Sequence, residues 1–434
     1  MARVLAAGVS LRVAALRARL LVAVMIAGLA VAGIAFAVSE LPAGNGVDPL
    51  PTVILISLDG TRPRDLNERD APALMALARK GLLAERLIPS VPTNTFPNHV
   101  TLVTGVAPER HGIVNNSFVD PERGTFGKQD IPSWIQVEPL WSLLARHGIV
   151  SASYYWVGSE GPWPGAKGPL YWLKFSSSTG EDEKVRQILA WLDIDDVARR
   201  PRFITSWFHG ADHAAHLNGP GHAEARRALR GQDPAIAALV AGIEARGLFS
   251  STTLIFVSDH GMSAPDERVE VGEALREAGI PSLTTGIGGF ASVYLDDPSP
   301  PEIARAIAVA EGLGLAAVGR VGAPAALRLA NPRFGDVVLR APMGTAISHQ
   351  GLQLEGFHGY HPDEPEMAGL FIAAGRAVTP AVRLSSVRSI DVAPTVLSLF
   401  GLEVPDWMEG RPIAGPGFQL HHRPGPGGPG EAFR

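Results

Sequence analysis

Seven residues able to bind a metal ion or to supply a hydroxyl nucleophile lie in five separate stretches of the chain. They are Asp59 after VILISL, Thr95 in PTNTFPNH, Asp212 and His216 in FHGADHAAH, Asp259 and His260 after LIFVS, and His358 in GFHGY. Carboxylates and imidazoles in this proportion can build two adjacent zinc sites. A threonine hydroxyl beside them is a nucleophile whose proton a cation makes easier to lose. The set therefore fits a metal-assisted displacement.

Each pattern also has a plainer reading. Asp212 and His216 stand at i and i+4, which puts both on one face of a helix, yet a surface Asp/His pair has the same spacing. Asp259, after a buried strand, can bind an ion or cap a helix. Thr95 can be a nucleophile or an N-cap, with Pro97 in the first turn. The two roles are compatible, because a helix start offers N–H groups and a positive dipole end to a phosphate. Asn116 in HGIVNNSF can donate its amide to a phosphate oxygen, with Asn115 as the competitor. His209 and His213 read as supporting or surface groups.

These residues need elements to hold them. Short apolar runs predict strands at 53–58 (VILISL), in IVSASYYW, at 203–208 (FITSWF), at 253–258 (TLIFVS) and at 369–375 (GLFIAAG). Helical spacing fits 71–81, 139–148, 183–192, a stretch around 221–247, and 389–401 with its glycine stop. The alternation predicts an α/β fold, a mostly parallel sheet covered by helices on both faces, with a site beyond the carboxyl ends of its strands. Between Asp259 and His358, ASVYLDD, PPEIARAIAVAEGL and DVVLR predict a small inserted α+β cap over about residues 268–350. The catalytic part then spans 51–414, after a linker at 39–50. A Gly/Pro-rich tail at 415–434, carrying His421-His422, is expected to be disordered.

The 434 residues are 46% hydrophobic and 19% charged, enough for a large core. A net charge of −5 argues against a nucleic-acid-binding surface. The absence of cysteine excludes disulfides, a thiolate nucleophile and zinc–sulfur sites. Arg3, Arg12, Arg17 and Arg19 precede an uncharged apolar run at 20–38, with Ala35-Phe36-Ala37 as a small-x-small site. Residues 1–38 read either as a cleaved signal peptide or as an N-terminal membrane anchor. Both place the remainder in the periplasm or otherwise outside the cytoplasm, and the anchor would add the membrane as a partner.

The segments ILISLDGTRP, PTNTFPNHVTLVTGVAPERHGIVNNSF, SDHGM, NPRFGDVVL, GFHGY and DVAPTVLSLFGLEVPDWMEGRPI resemble the type I phosphodiesterase/nucleotide pyrophosphatase family of the alkaline phosphatase superfamily. The resemblance spans residues 50–413. It implies an alkaline-phosphatase-like core and two Zn2+ per chain. Asp212, His216 and His358 would hold one zinc; Asp59, Asp259, His260 and Thr95 the other. It further implies hydrolysis of a phosphodiester or nucleotide substrate through a phospho-threonine on Thr95, with Asn116 binding phosphate. Phe96, and less directly Phe175, would stack on the leaving nucleoside. The chain departs from the family at Gly210-Ala211-Asp212 and at His213-Ala214-Ala215-His216, where Glu-Pro-Asp and Ser-Ser-Gly are usual. That difference bears on substrate choice. A phosphomonoesterase, a phosphonate hydrolase or a phospholipid headgroup diesterase would use the same residues. An inactive membrane-anchored binding protein would be expected to have lost some of them.

Overall fold

The computed structural model describes residues 50–413 and 415–420. The N-terminal apolar run, the linker through residue 49 and the His421-His422 pair lie outside the described residues. Among the described residues, no helix is long and apolar enough to cross a membrane.

The central strand, Thr52–Leu58, is β-branched, uncharged and buried along its whole length. Its side chains alternate between two cores. Ile54, Ile56 and Leu58 enter one, and Val53 and Leu55 enter the other. Such a strand needs cover on both faces. Helices Pro72–Lys80, Glu181–Leu192 and Ala223–Ala245 supply Leu74, Ile188 and Leu239 to the first core. Thr95–Thr104, Leu140–Arg146 and Val392–Leu399 supply Leu102, Trp141 and Val396 to the second.

Nine strands form the main sheet among the described residues. The order is Val382–Leu384, Leu82–Ile88, Gly369–Gly375, Thr252–Val257, Thr52–Leu58, Phe203–Phe208, Ser151–Tyr154, Tyr171–Leu173, with Val387–Arg388 also pairing Leu82–Ile88. Only Gly369–Gly375 runs against its neighbours in this sheet. The fold is α/β with a mostly parallel sheet, as expected. Leu82–Ile88 was not among the predicted strands. Glu85 and Arg86 interrupt its apolar run, and its burial alternates instead of being continuous.

Between the strand ending at Val257 and the strand starting at Gly369, a second, antiparallel sheet runs Ser282–Thr285, Phe290–Leu295, Val337–Arg340, Ala316–Gly319. Helices Val271–Glu277 and Pro300–Gly312 pack with it, and Leu275, Val293, Ala306 and Leu339 share a separate core. This cap is tied to the site loop by the Gly289 N–H, which donates to the His358 carbonyl at 2.8 Å. The Gly/Pro-rich tail needs a correction at its start. Phe418 is buried against Phe371, and the Gln419 N–H donates to the Ala377 carbonyl at 2.8 Å. One large apolar side chain suffices to dock a segment whose composition reads as loop.

Arg333 pins the cap to the loops beneath it. Its Nε donates to Asp120 Oδ2 at 2.6 Å and its Nη1 to the Gly112 and Trp134 carbonyls, both at 2.8 Å. Burial pushes the Asp120 carboxyl up, but the Arg333 hydrogen bond and the Glu122 and Arg123 N–H groups outweigh it and hold it below the ordinary range. Arg333→Met should cost about 3–5 kcal/mol by leaving that carboxylate unpaired. A carboxyl with a depressed folded pKa stabilises above its unfolded value of about 3.9, and that contribution fades as pH falls through the folded value. Thermal unfolding should therefore show a large gap between wild type and variant at neutral pH that narrows in acid. Equal Tm values at neutral pH would remove Arg333 from this role.

Candidate metal centre

Thr252–Val257, Thr52–Leu58 and Phe203–Phe208 are adjacent and parallel, about 4.8 Å apart, so the residues beyond their carboxyl ends meet. Asp59 directly follows the central strand, and its N–H extends the ladder to the Phe208 carbonyl at 3.0 Å. Asp259 lies two residues past Thr252–Val257. Asp212 and His216 lie on helix Gly210–Asn218 beyond the third, with Asp212 Oδ2 3.5 Å from His216 Nε2. Gly60 turns the chain at φ +62°, and a Cβ there would stand 2.7 Å from Asp212 Oδ1. Its N–H donates to Asp259 Oδ1 at 3.3 Å. Asp259 thus meets the Asp59 turn and caps no helix.

The three histidines share one arrangement. His260 Nδ1 faces the Gly261 carbonyl at 2.8 Å, and His216 Nδ1 faces the Gly356 carbonyl at 2.7 Å. His358 Nδ1 faces Asn94 Oδ1 at 2.7 Å and the Thr93 carbonyl at 3.1 Å. All these partners are acceptors, so each Nδ1 carries the proton and each Nε2 has its lone pair for the centre. Histidines that ligate metals are held in this way.

Among the described residues, two groups of three have their ligand atoms within 4.8 Å of one another. Asp212, His216 and His358 form one, as the family resemblance implies. Asp59, Asp212 and His260 form the other, so Asp212 stands between the two. Asp259 borders the second group, with Oδ2 3.3 Å from His260 Nε2.

The donor set fits cations. Asp59 Oδ1, Asp212 Oδ1 and Asp259 Oδ2 are buried without a hydrogen-bond partner. Burial, then the charges of Asp212 and Asp259, push the Asp59 carboxyl well up. Burial acts the same way on Asp259, but His260 and His99 outweigh it and hold Asp259 down. Burial, and then His260 and His216, push His358 down, which favours its neutral, ligating form.

Thr95 begins helix Thr95–Thr104 but does not cap it. Asn94 occupies the cap position, and neither side chain makes the capping bond. Thr95 Oγ1 instead stands 3.1 Å from His260 Nε2. The helix start offers fewer free donors than expected. The Phe96 N–H donates to Asn116 Oδ1 at 2.8 Å, and Pro97 has no N–H. Asn116 is half-buried there with its amide nitrogen outside that bond, whereas Asn115 is buried within the scaffold.

Phe96 is half-buried, edge-on to Phe126, with Lys128 Nζ 4.9 Å from its ring centre. Phe175 is 40% exposed and stacks on Trp207 at 5.0 Å. Sequence reasoning missed Trp207, whose indole N–H donates to Asp59 Oδ2 at 2.8 Å. It also missed His99, whose Nδ1 lies 3.2 Å from Asp259 Oδ2 and whose ring packs against Trp156 and Trp207. His99 stands at i+4 from Thr95, a spacing open to inspection. Trp207 reaches Asp59 only through strand pairing.

Residues 53–361 match the family model described as type I phosphodiesterase / nucleotide pyrophosphatase. The chain belongs to that family. It is 37% identical over 219 residues to an uncharacterised pyrophosphatase/phosphodiesterase of Schizosaccharomyces pombe, covering 49% of this chain and 45% of that protein. It is 34% identical over 229 residues to ectonucleotide pyrophosphatase/phosphodiesterase family member 3 of Mus musculus, covering 51% and 26%. The match thus spans less than half the length of these two curated relatives. The murine ectonucleotide pyrophosphatase/phosphodiesterase 5, solved as an inactive variant in complex with AMP, superposes with a TM-score of 0.74 at 22% identity. It covers 82% of this chain and 96% of that one. That likeness shows a shared fold.

Because Asp212 belongs to both groups, Asp212→Ala should remove more divalent metal per chain than His216→Ala. Metal content after loading and dialysis checks this. The same experiment should show a cation-dependent rise in Tm for wild type, worth about 2.7 kcal/mol at a hundredfold excess over Kd. Equal metal loss in the two variants would show that Asp212 serves one ion only.

Proposed function

We propose that the chain is a two-zinc hydrolase of phosphodiester or pyrophosphate bonds in nucleotides, acting through a phospho-threonine on Thr95. One observation carries the reading. Thr95 Oγ1 stands 3.1 Å from His260 Nε2, at a helix start shared with the Asn116 amide and beside two buried carboxylates, Asp59 and Asp259, and the half-buried Asp212. Asp212, His216 and His358 would hold one zinc, and Asp59, Asp259 and His260, with Thr95, the other, while Asp212 stands close enough to the second group to support that ion as well. Bound zinc neutralises phosphoryl charge and favours loss of the hydroxyl proton.

The chain's own residues do the positioning. The Thr95 hydroxyl gives up its proton to solvent as its Oγ attacks phosphorus, the bond to the leaving oxygen breaks, and that oxygen departs with the electron pair and takes up a proton from solvent. Water then cleaves the phospho-threonine and restores the hydroxyl. Asn116 donates from its amide nitrogen to a non-bridging oxygen as negative charge grows there. The Trp207 indole N–H holds Asp59 in place, and His99 packs beside Asp259 while its Nδ1 donates to the Thr95 carbonyl at 2.9 Å. AMP in the murine structure supports a nucleotide substrate, and Phe96 and Phe175 offer aromatic faces to a base.

Turnover of bis(4-nitrophenyl) phosphate should exceed that of 4-nitrophenyl phosphate, and the reverse preference would point to a phosphomonoesterase. Thr95→Ala should keep metal but lose turnover by on the order of 10³ or more. Near-wild-type hydrolysis by that variant would instead make water the nucleophile. Phe96→Ala should raise KM for a nucleotide diester about tenfold, given that base stacking is worth roughly 1–3 kcal/mol, and spare a small aryl diester. Equal losses on both substrates would favour the phospholipid or small-diester alternative.

A further inference from the structure

Of the three ligand histidines, His358 alone has a side chain as well as a backbone carbonyl on its Nδ1. That side chain is Asn94, which is buried and reaches further. Its Nδ2 donates to Asn115 Oδ1 at 2.7 Å. Asn115 Oδ1 also accepts the Asn116 N–H at 2.7 Å, and Asn116 Oδ1 accepts the Phe96 N–H at 2.8 Å.

The direction of every bond in this chain follows from chemistry. The backbone N–H groups of Asn116 and Phe96 can only donate, which fixes both asparagine oxygens. Asn115 Oδ1 then requires Nδ2 of Asn94, leaving Asn94 Oδ1 for the His358 ring. The two amides are closely enclosed, and Asn115 Nδ2 is left buried without a hydrogen-bond partner. A Cβ on Gly359 would meet Asn94 Oδ1 at 2.9 Å, and one on Gly286 would meet Asn115 Nδ2 at 2.7 Å.

We propose that Asn94 is a positioning residue that couples the orientation of the His358 imidazole to the placement of Asn116 through Asn115. The proposal rests on the reading of His358 as a metal ligand and of Asn116 as a phosphate donor. A buried amide is suited to the task because it offers one acceptor and one donor face at fixed geometry. A cap residue would spend its oxygen on its own helix, and Asn94 makes no such bond.

Two variants separate the two ends. Asn94→Asp keeps an acceptor for the His358 ring but cannot donate to Asn115. Metal affinity, read by competition with a chromogenic chelator, should stay within about threefold of wild type, while kcat falls about tenfold with KM little changed. Asn94→Leu loses both ends, and metal affinity should fall by about ten- to a hundredfold, the usual effect of removing a ligand's supporting partner.

A readout independent of turnover comes from the Phe96 amide, whose exchange protection reports where Asn116 sits. In protein labelled with 15N-phenylalanine, that amide should exchange about tenfold faster in Asn94→Asp, with the core phenylalanines unchanged. Wild-type exchange and kcat in Asn94→Asp would overturn the coupling to Asn116. Wild-type metal affinity in Asn94→Leu would show that the Thr93 carbonyl suffices for His358 and overturn the other end. A uniform loss of protection and stability in both variants would make Asn94 merely structural and overturn the proposal. If wild type itself bound metal but cleaved no diester, the functional reading would fail while the affinity and exchange arms still decided the role of Asn94.

Discussion

Asp59, Asp212 and Asp259 bring three carboxylates together beyond the ends of neighbouring parallel strands, where burial strips screening water from Asp59 and Asp259 and leaves Asp212 half-buried. Two like charges 4 Å apart repel by about 4 kcal/mol at the effective dielectric found near protein surfaces. The repulsion shows in Asp59, whose carboxyl is pushed up by burial and by both neighbours. Much of the surrounding structure keeps these groups from relaxing apart. The strands beneath them are buried on both faces and cannot slip register without exchanging two apolar cores. The clash is thereby converted into a standing affinity for cations.

The candidate ligands are oriented largely by the path of the backbone. Two of the three imidazoles rest on main-chain carbonyls, so their tautomer and direction follow from where the chain runs. His358 comes from a loop after the cap, and the cap holds it through the Gly289 N–H. This gives the second sheet a function in the site although it contributes no ligand. Arg333, buried and hydrogen-bonded to three separate groups, fixes the same cap to the loops below.

Membership of the family and the shared fold bear on different questions. A TM-score of 0.74 at 22% identity means that the layers persist while most residues differ. Around Asp212 this chain carries Gly210-Ala211 and Ala214-Ala215, and Ala211 and Ala215 are buried. Nearby, Phe175 stacks on Trp207, and Trp207 holds Asp59. An aromatic face open to solvent is thus one packing step from a metal-ligand candidate.

The central strands and the helices covering them were legible in the sequence, because burial on both faces demands unbroken apolar runs such as VILISL and TLIFVS. The ligand types were legible too, since few residues bind cations and they cluster just past those runs. Leu82–Ile88 escaped because its charged residues break the pattern. Which carboxylates group together did not follow from spacing: Asp212 stands between two groups, a consequence of strand order. Nor did sequence distinguish Thr95 from an N-cap, since a hydroxyl at a helix start suits both roles until its neighbours are placed. Asn94, His99 and Trp207 acquire meaning only through partners up to 264 residues away. Local sequence dictates which groups can act, because side-chain chemistry and backbone periodicity are local. Tertiary structure decides which of them meet, because hydrogen bonds and ion pairing act only over a few ångströms.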